Sequence, residues 1–142
     1  MKVDAYEEYM PASVYTIASE IVRKSNIDEV FDWKNSKYFF IGKHKDAFVG
    51  IVTYGRMEFS EKILPRFLHI VVNSKFQKTR KSLQLYKETE RYFTDKGFSQ
   101  VVAFIRWDLP HREMKKSYAL KSKYVKYHQD DEGELFYKNL RG

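Results

Sequence analysis

The stretch RFLHIVVNSKFQKTRKSLQL, residues 66–85, joins an apolar run to an amphipathic segment through a basic turn. The run at residues 66–72 is apolar almost throughout, which is typical of a strand buried on both faces of a sheet. Two polar residues end it, and apolar side chains at helical spacing predict a helix over residues 79–96, with Gly97 at its end. The basic turn at residues 77–82 therefore lies between a buried strand and a helix N-terminus.

The region before this stretch is predicted to hold an N-terminal strand, helices and a hairpin. Apolar residues at helical spacing predict a helix over residues 14–22, and a second short helix is expected near residues 27–33. Residues 38–41 and 47–54 are rich in β-branched and aromatic side chains, which predicts an antiparallel hairpin. A polar connection is expected at residues 56–62.

The region after the stretch is predicted to hold a buried strand, a helix and a final hairpin. Residues 100–105 read QVVAFI, and Pro110 fits the first turn of a helix. Residues 124–128 and 134–138 flank a polar turn and predict the hairpin. The order of these elements is that of an α+β or mixed-sheet fold, because strands and helices do not alternate strictly.

The composition excludes several classes of site. The 142 residues include no Cys, so the chain has no disulfide, thiolate nucleophile or thiolate metal ligand. The four histidines show no ligand spacing, and no metal site is expected. The first ten residues carry acids where a signal peptide needs an apolar run, and no stretch approaches the roughly 20 apolar residues of a membrane span. A soluble, cytoplasmic protein is expected.

The net charge of +7 indicates partners of opposite charge. Long-range attraction favours polyanions and phosphate-bearing molecules. Nucleic acid, phosphorylated cofactors and acidic proteins are all compatible with this charge.

The order and spacing of these segments resemble the GNAT family of acyl-CoA-dependent N-acyltransferases. The match runs through FVGIVTY at residues 48–54, the stretch at 66–85, and GFSQVVAFI at residues 97–105. In that family a turn of pattern Q/R-x-x-G-x-G/A opens a helix, whose amides hold the cofactor's pyrophosphate. The resemblance implies a single domain over residues 1–142, with one central mixed, mostly antiparallel sheet flanked by helices. It also implies that the central strand separates from its neighbour beside the turn.

The resemblance assigns acetyl-CoA as acyl donor. Ile70, Val71 and Val72 would hold its pantetheine arm through the backbone. Its phosphates would be held by the residues of the turn, namely Gln77, Lys78, Thr79, Arg80, Lys81 and Ser82. Arg80 and Ser82 stand at the family's glycine-type positions. The guanidinium of Arg80 either pairs with phosphate oxygens or fills the cleft.

The same resemblance implies direct attack of a primary amine on the thioester, with a tyrosine protonating the leaving thiolate. Tyr118 is the candidate general acid. Lys123 and Tyr124 stand where the family has Gly-Phe, and because the alignment needs a small shift in this region, Tyr124 is the rival of Tyr118. Core packing is the alternative for either tyrosine. Glu58 and His69 are the candidate bases. The alternative for Glu58 is a solvated surface charge, and the alternative for His69 is a core histidine without a catalytic role.

A binding module is the competing interpretation. A catalytically decayed GNAT-like fold could grip nucleic acid or an acidic protein through a basic segment with interleaved tyrosines. Its candidate cations are Lys115, Lys116, Lys121 and Lys123, for which a solvated face is the alternative. An edge of the sheet could pair two copies into a homodimer. The resemblance to short, glycine-poor GNAT-like chains also implies a phage-like origin.

Overall fold

The computed structural model of the chain describes residues 1–25, 31–77 and 79–140. It is an α+β structure, as predicted, with a 3₁₀ turn at Ser74–Phe76. In chain order the strands and helices are β1 (Lys2–Glu7), α1 (Ala12–Lys24), β2 (Tyr38–His44), β3 (Ala47–Phe59), β4 (Lys62–Val72), α2 (Arg80–Asp95), β5 (Gln100–Arg106), α3 (Arg112–Lys121), β6 (Val125–Gln129) and β7 (Gly133–Asn139).

The strands form one seven-stranded sheet in the order β1-β2-β3-β4-β5-β7-β6. Every neighbouring pair is antiparallel except β4 and β5, which are parallel. The predicted mixed, mostly antiparallel sheet is therefore confirmed. A parallel neighbour needs a crossover connection, and α2 supplies it between β4 and β5.

The two faces of the sheet carry separate apolar clusters. Helix α1 contributes Ala18 to a cluster with Ile41, Ile51 and Val71, and these four side chains are buried. Helices α2 and α3 cover the opposite face, where Leu85 is fully buried with the other residues of a larger cluster, among them Phe40, Tyr54, Phe93 and Phe136. Rings in this second cluster meet edge to face, a favourable arrangement for aromatic pairs.

The structure changes one prediction about the chain before β4, and another lies mostly outside the described residues. The polar connection expected at residues 56–62 is wrong, because β3 runs on to Phe59 and β4 begins at Lys62. Ser60 and Glu61 alone make the turn, both at positive φ, the geometry of a two-residue β-hairpin turn. The short helix expected near residues 27–33 lies mostly outside the described residues, and Phe31 and Asp32 are irregular.

Helix α3 begins later than expected. Pro110 lies before the helix, in a turn, and His111 occupies the N-cap position in the left-handed conformation with φ of 54°. Among the described residues, no helix is long and apolar enough to cross a membrane.

Candidate functional site

The central feature of the sheet is the short pairing between β4 and β5. The two strands pair only at Arg66 with Val102 and at Phe67 with Ala103. Beyond these pairs β4 continues beside β3 to Val72, and β5 continues beside β7 to Arg106. We infer that the C-terminal halves of the two parallel strands diverge and leave a cleft between them.

A β-bulge at Leu68 accompanies this divergence. Thr53 pairs with His69 and Tyr54 pairs with Phe67, so Leu68 is an extra residue on β4. A bulge bends its strand and increases the local twist. Because the bulge directly follows the last pair with β5, we infer that it turns the end of β4 away from its neighbour.

Backbone groups of β4 face the cleft. The Asn73 amide donates to the Val49 carbonyl at 2.8 Å, and the Val71 carbonyl oxygen lies against Gly50. Both contacts point toward β3, so the alternation of a strand directs the amides and carbonyls of Ile70 and Val72 the other way, into the cleft. The side chain of Ile70 is 39% exposed, whereas Val71 is buried on the α1 face.

The start of α2 lies just beyond this strand end. Thr79 is the N-cap, and its hydroxyl oxygen accepts a hydrogen bond of 3.2 Å from the Lys81 amide. The first amides of a helix lack partners within the helix and carry a positive potential. Ser82 donates through its hydroxyl to the Thr79 carbonyl at 3.1 Å, which ties the first turn together.

The charge of this turn is positive. Lys75 and Arg80 are exposed, Lys81 is half-buried, and none of the three forms an ion pair with an acid in the part of the chain that the structure describes. The charge of Lys81 is the largest cause of a lowered pKa at His44, which ends β2. Lys78 lies outside the described residues. The turn is therefore suited to an anion.

The two candidate tyrosines lie in different environments. Tyr118 is on α3 and is 61% exposed. Tyr124 is buried, and its hydroxyl lies 2.9 Å from that of Tyr86. Burial raises the pKa of Tyr124. Lys123 has a left-handed backbone conformation, with φ of 71°. Glycine favours this conformation, which fits the alignment of Lys123 with the glycine of the family's Gly-Phe.

Neither candidate base lies in the cleft. Glu58 is exposed and pairs with Ile63 near the hairpin turn of β3 and β4, which at about 3.3 Å per residue is roughly 16 Å along the strand from Leu68. His69 is buried on the α1 face and stacks on Phe31 at 4.3 Å. Its Nε2 accepts a hydrogen bond of 2.9 Å from the Asp32 amide. That bond uses the lone pair with which a neutral imidazole takes up a proton.

The basic segment of α3 and β6 is partly neutralised by a buried acid, Glu134, which was not predicted from the sequence. Glu134 is 1% exposed, and Lys116 and Lys126 lie 3.2 and 3.1 Å from its carboxylate. Arg112 also pairs with this carboxylate and stacks over Trp107. Lys121 and Lys123 are exposed. An acid within the apolar run ELFY, near an excess of lysines, is the one signal that could have revealed Glu134.

Metal binding has no candidate here. Within residues 1–25, 31–77 and 79–140, no group of three acids or histidines is placed to hold an ion.

No protein-family model and no curated protein matches the sequence. Solved structures match it in fold. A protein assigned to the GNAT acetyltransferases, from Desulfovibrio desulfuricans, superimposes with a TM-score of 0.72 at 12% identity, covering 98% of this chain and 99% of its own. The chain has the GNAT fold.

Two further structures with the GNAT fold extend over nearly the whole chain. An aminoglycoside 6′-N-acetyltransferase complexed with coenzyme A gives a TM-score of 0.68 at 14% identity, covering 100% of this chain and 98% of its own. The ribosomal-protein-S18-alanine N-acetyltransferase of Escherichia coli superimposes with a TM-score of 0.65 at 7% identity, covering 98% of this chain and 94% of its own. At such low identity the likeness establishes the fold and leaves the activity to be argued from the site.

Proposed function

We propose that the chain is an N-acyltransferase that moves an acetyl group from acetyl-CoA to a primary amine. The observation that carries the proposal is the cleft between β4 and β5, which has backbone groups of Ile70 and Val72 directed into it along one side and a basic helix N-terminus at its end. Backbone amides and a positive turn are the groups that bind an extended amide chain ending in phosphates. The coenzyme A complex of a protein with the same fold supports this assignment.

The residues of the cleft fit such a donor. The amide and carbonyl of Ile70 and the amide of Val72 would face the arm, while Thr79, Lys81 and Ser82 begin the helix that would face the phosphates. Arg80 is exposed, which favours pairing with phosphate over filling of the cleft. Val71 would act through packing, since its side chain lies in the α1 cluster. Gln77 binds the Val72 carbonyl and braces the strand end.

The chemistry needs few groups from the protein. Acetyl-CoA supplies an activated acyl group, whose carbonyl carbon forms a bond to the amine nitrogen as its bond to sulfur breaks. Tyr118 would give its hydroxyl proton to the leaving sulfur. The proton lost by the amine would pass to water, because Glu58 lies near the hairpin turn and His69 has its Nε2 engaged. Positioning of the reactants would supply most of the rate.

Coenzyme A binding is the direct test. A ligand that binds only the folded protein at one hundred times its Kd should raise the free energy of unfolding by about 2.7 kcal/mol, which is seen as a higher Tm. Turnover can be followed by release of the CoA thiol with a thiol-reactive chromophore, and the protein contributes no background because it has no Cys. Absence of both a Tm shift and a heat of binding would overturn the proposal.

The alternative is a decayed GNAT-like domain that binds nucleic acid. Nucleic-acid binding is favoured by the exposure of Lys121, Lys123 and Tyr127. The pairing of Lys116 with Glu134 removes one of the candidate cations for such binding. Phosphate-backbone contacts would make affinity fall steeply with salt. Salt-sensitive binding of a DNA or RNA duplex that weakens in a Lys121→Glu, Lys123→Glu variant, without any response to CoA, would favour this alternative.

A further inference from the structure

A second cavity lies on the α1 face of the sheet, beside the point at which β4 leaves β5. Its volume is about 240 Å³, and it is lined by Asn35, Lys37, Gly55, Arg56, Arg66 and Leu68. Arg66 belongs to the first of the two β4–β5 pairs, and Leu68 is the bulged residue just past the second. The cavity therefore adjoins the cleft at the point where the strands separate.

Arg66 is the most unusual group of this cavity. Its Nε atom is buried and has no hydrogen-bond partner among the described residues, and no acid of those residues forms an ion pair with it. The guanidinium lies 5.7 Å from the centre of the Phe104 ring, which limits its orientation. Burial lowers the pKa of Arg66, against the attraction of Asp32, yet arginine stays charged at neutral pH. A buried, unpaired donor of this kind favours an anionic ligand.

The acids near the cavity are committed elsewhere. The Asp32 carboxylate accepts hydrogen bonds from the amide and the side chain of Asn35, at 3.0 and 2.9 Å. Glu8 pairs with Arg56, whose guanidinium also lies 5.2 Å from the centre of the Tyr38 ring. Neither acid forms an ion pair with Arg66 within the described residues.

The balance of charge around the cavity limits the ligand. Three cations, Lys37, Arg56 and Arg66, face two acids, Glu8 and Asp32. Arg106 also acts on Arg66 but is paired with Asp108, so one positive charge remains in excess. That excess matches a monoanion better than a doubly charged phosphate. The planar fork of arginine fits a carboxylate through two parallel hydrogen bonds.

We propose that this cavity binds the carboxylate of the acyl acceptor, with Arg66 as its partner, so that the acceptor is a small amine that also carries a carboxylate, as an amino acid does. The proposal rests on the acyltransferase function proposed above. With its carboxylate at Arg66, the acceptor's amine can extend past Leu68 into the cleft. There it would meet the acyl group held along Ile70 and Val72.

The test compares two acetylated products, one with a carboxylate and one with a neutral amide in its place. N-acetylglycine and its neutral counterpart N-acetylglycinamide are titrated into ¹⁵N-labelled protein while the arginine Nε–H signals are followed by NMR. We expect N-acetylglycine to shift the Arg66 signal saturably, with a Kd about ten-fold or more below that of the amide, because a charged hydrogen-bonded pair is lost in the amide. Arg66→Gln assigns the signal and should abolish the preference.

Arg91→Gln is the matched control, since Arg91 is exposed on α2 and should leave the preference unchanged. If Arg66→Gln does not fold, the contrast between the two ligands on the unaltered protein still decides. Equal binding of acid and amide, no saturable shift of Arg66, or tighter binding of inorganic phosphate would overturn the proposal. The titration contains no CoA, so its outcome is separate from the Tm test of the acyltransferase function.

Discussion

The side-chain amide of Gln77 donates a hydrogen bond of 3.2 Å to the carbonyl oxygen of Val72, the last residue of β4. This carbonyl is one of the groups that alternation along the strand directs into the cleft. The bond links the end of the open strand to the basic turn before α2. We infer that Gln77 holds the two parts of the candidate donor site in a fixed relation.

Gln77→Ala should therefore loosen the turn with little effect on the core. An exposed hydrogen bond contributes about 0.5–1 kcal/mol, so the free energy of unfolding in urea should fall by that amount. Gln84→Ala, on the exposed side of α2, is the matched control and should be close to neutral. Equal losses in both variants would show that the bond to Val72 contributes nothing specific.

Reversal of charge at the start of α2 should weaken CoA binding. In Arg80→Glu a guanidinium beside the helix N-terminus becomes a carboxylate that repels phosphate, and we expect the Kd from calorimetry to rise at least about ten-fold. Arg91→Glu makes the same change later on the helix and should leave the Kd within about two-fold, since screening weakens distant charges. If Arg80→Glu binds CoA as the unaltered protein does, this turn does not hold the phosphates.

His44 reports on the same turn through its pKa. The charge of Lys81 is the main cause that lowers this pKa in the folded protein, with burial, the N-terminal amine and Lys45 adding to it. Lys81→Gln should therefore raise the pKa of His44 toward its ordinary value of about 6.5, measured by NMR of the ring protons. Bound CoA should also raise it, because phosphate offsets the charge of Lys81.

The lowered pKa of His44 also makes the stability of the fold depend on pH. The unfolded chain binds the His44 proton more readily than the folded one, so this group's contribution to stability falls as the pH drops through the ordinary value and is regained above it. Lys45→Gln is the control, because Lys45 is the smallest of the four causes. A larger rise of the pKa in Lys45→Gln than in Lys81→Gln would contradict the placement of Lys81 beside His44.

Much of the fold could be predicted because its signals are local. The apolar run before the basic turn, the helical spacing after it and Gly97 at the helix end lie close together in the sequence, and Gly97 indeed has a positive φ. The end of β3 was missed, although the alternation of exposed Arg56 and Glu58 with inward Met57 and Phe59 carries the period of a strand. The turn between β3 and β4 could not be predicted from the sequence, because Ser60 and Glu61 adopt positive φ without glycine.

The candidate site likewise has a part that could be predicted from the sequence and a part that could not. Residues 77–82 could be predicted because a strand end and a helix start place them together. The bulge at Leu68 has no sequence signature, and the Arg66 cavity assembles side chains from three separate segments that only the folded sheet brings together. The role of the lysines on α3 depends on Glu134, which is far from Arg112 and Lys116 in sequence.

Glu134 should be important for stability rather than for binding. Removal of one partner from a buried ion pair leaves uncompensated charge and costs about 3–5 kcal/mol. Glu134→Gln leaves Arg112, Lys116 and Lys126 without their carboxylate, so we expect a loss in that range in urea unfolding. Glu132→Gln, exposed in the neighbouring turn, should cost less than about 0.5 kcal/mol. A loss below 1 kcal/mol for Glu134→Gln would show that the cluster is not needed to hold α3 on the sheet.

Substitution of the two candidate tyrosines should separate catalysis from packing. Tyr118 is exposed on α3, so Tyr118→Phe should leave Tm and CoA affinity unchanged while kcat falls about 100-fold or more, the usual contribution of a general acid. Tyr124→Phe removes a hydroxyl bonded to Tyr86 in the core and should lower the free energy of unfolding by about 1 kcal/mol. Its kcat should change little, because burial raises the pKa of Tyr124 and keeps its proton bound. If instead Tyr124→Phe abolishes turnover and Tyr118→Phe does not, the acid lies in the core pair and the exposed tyrosine has no part in the reaction.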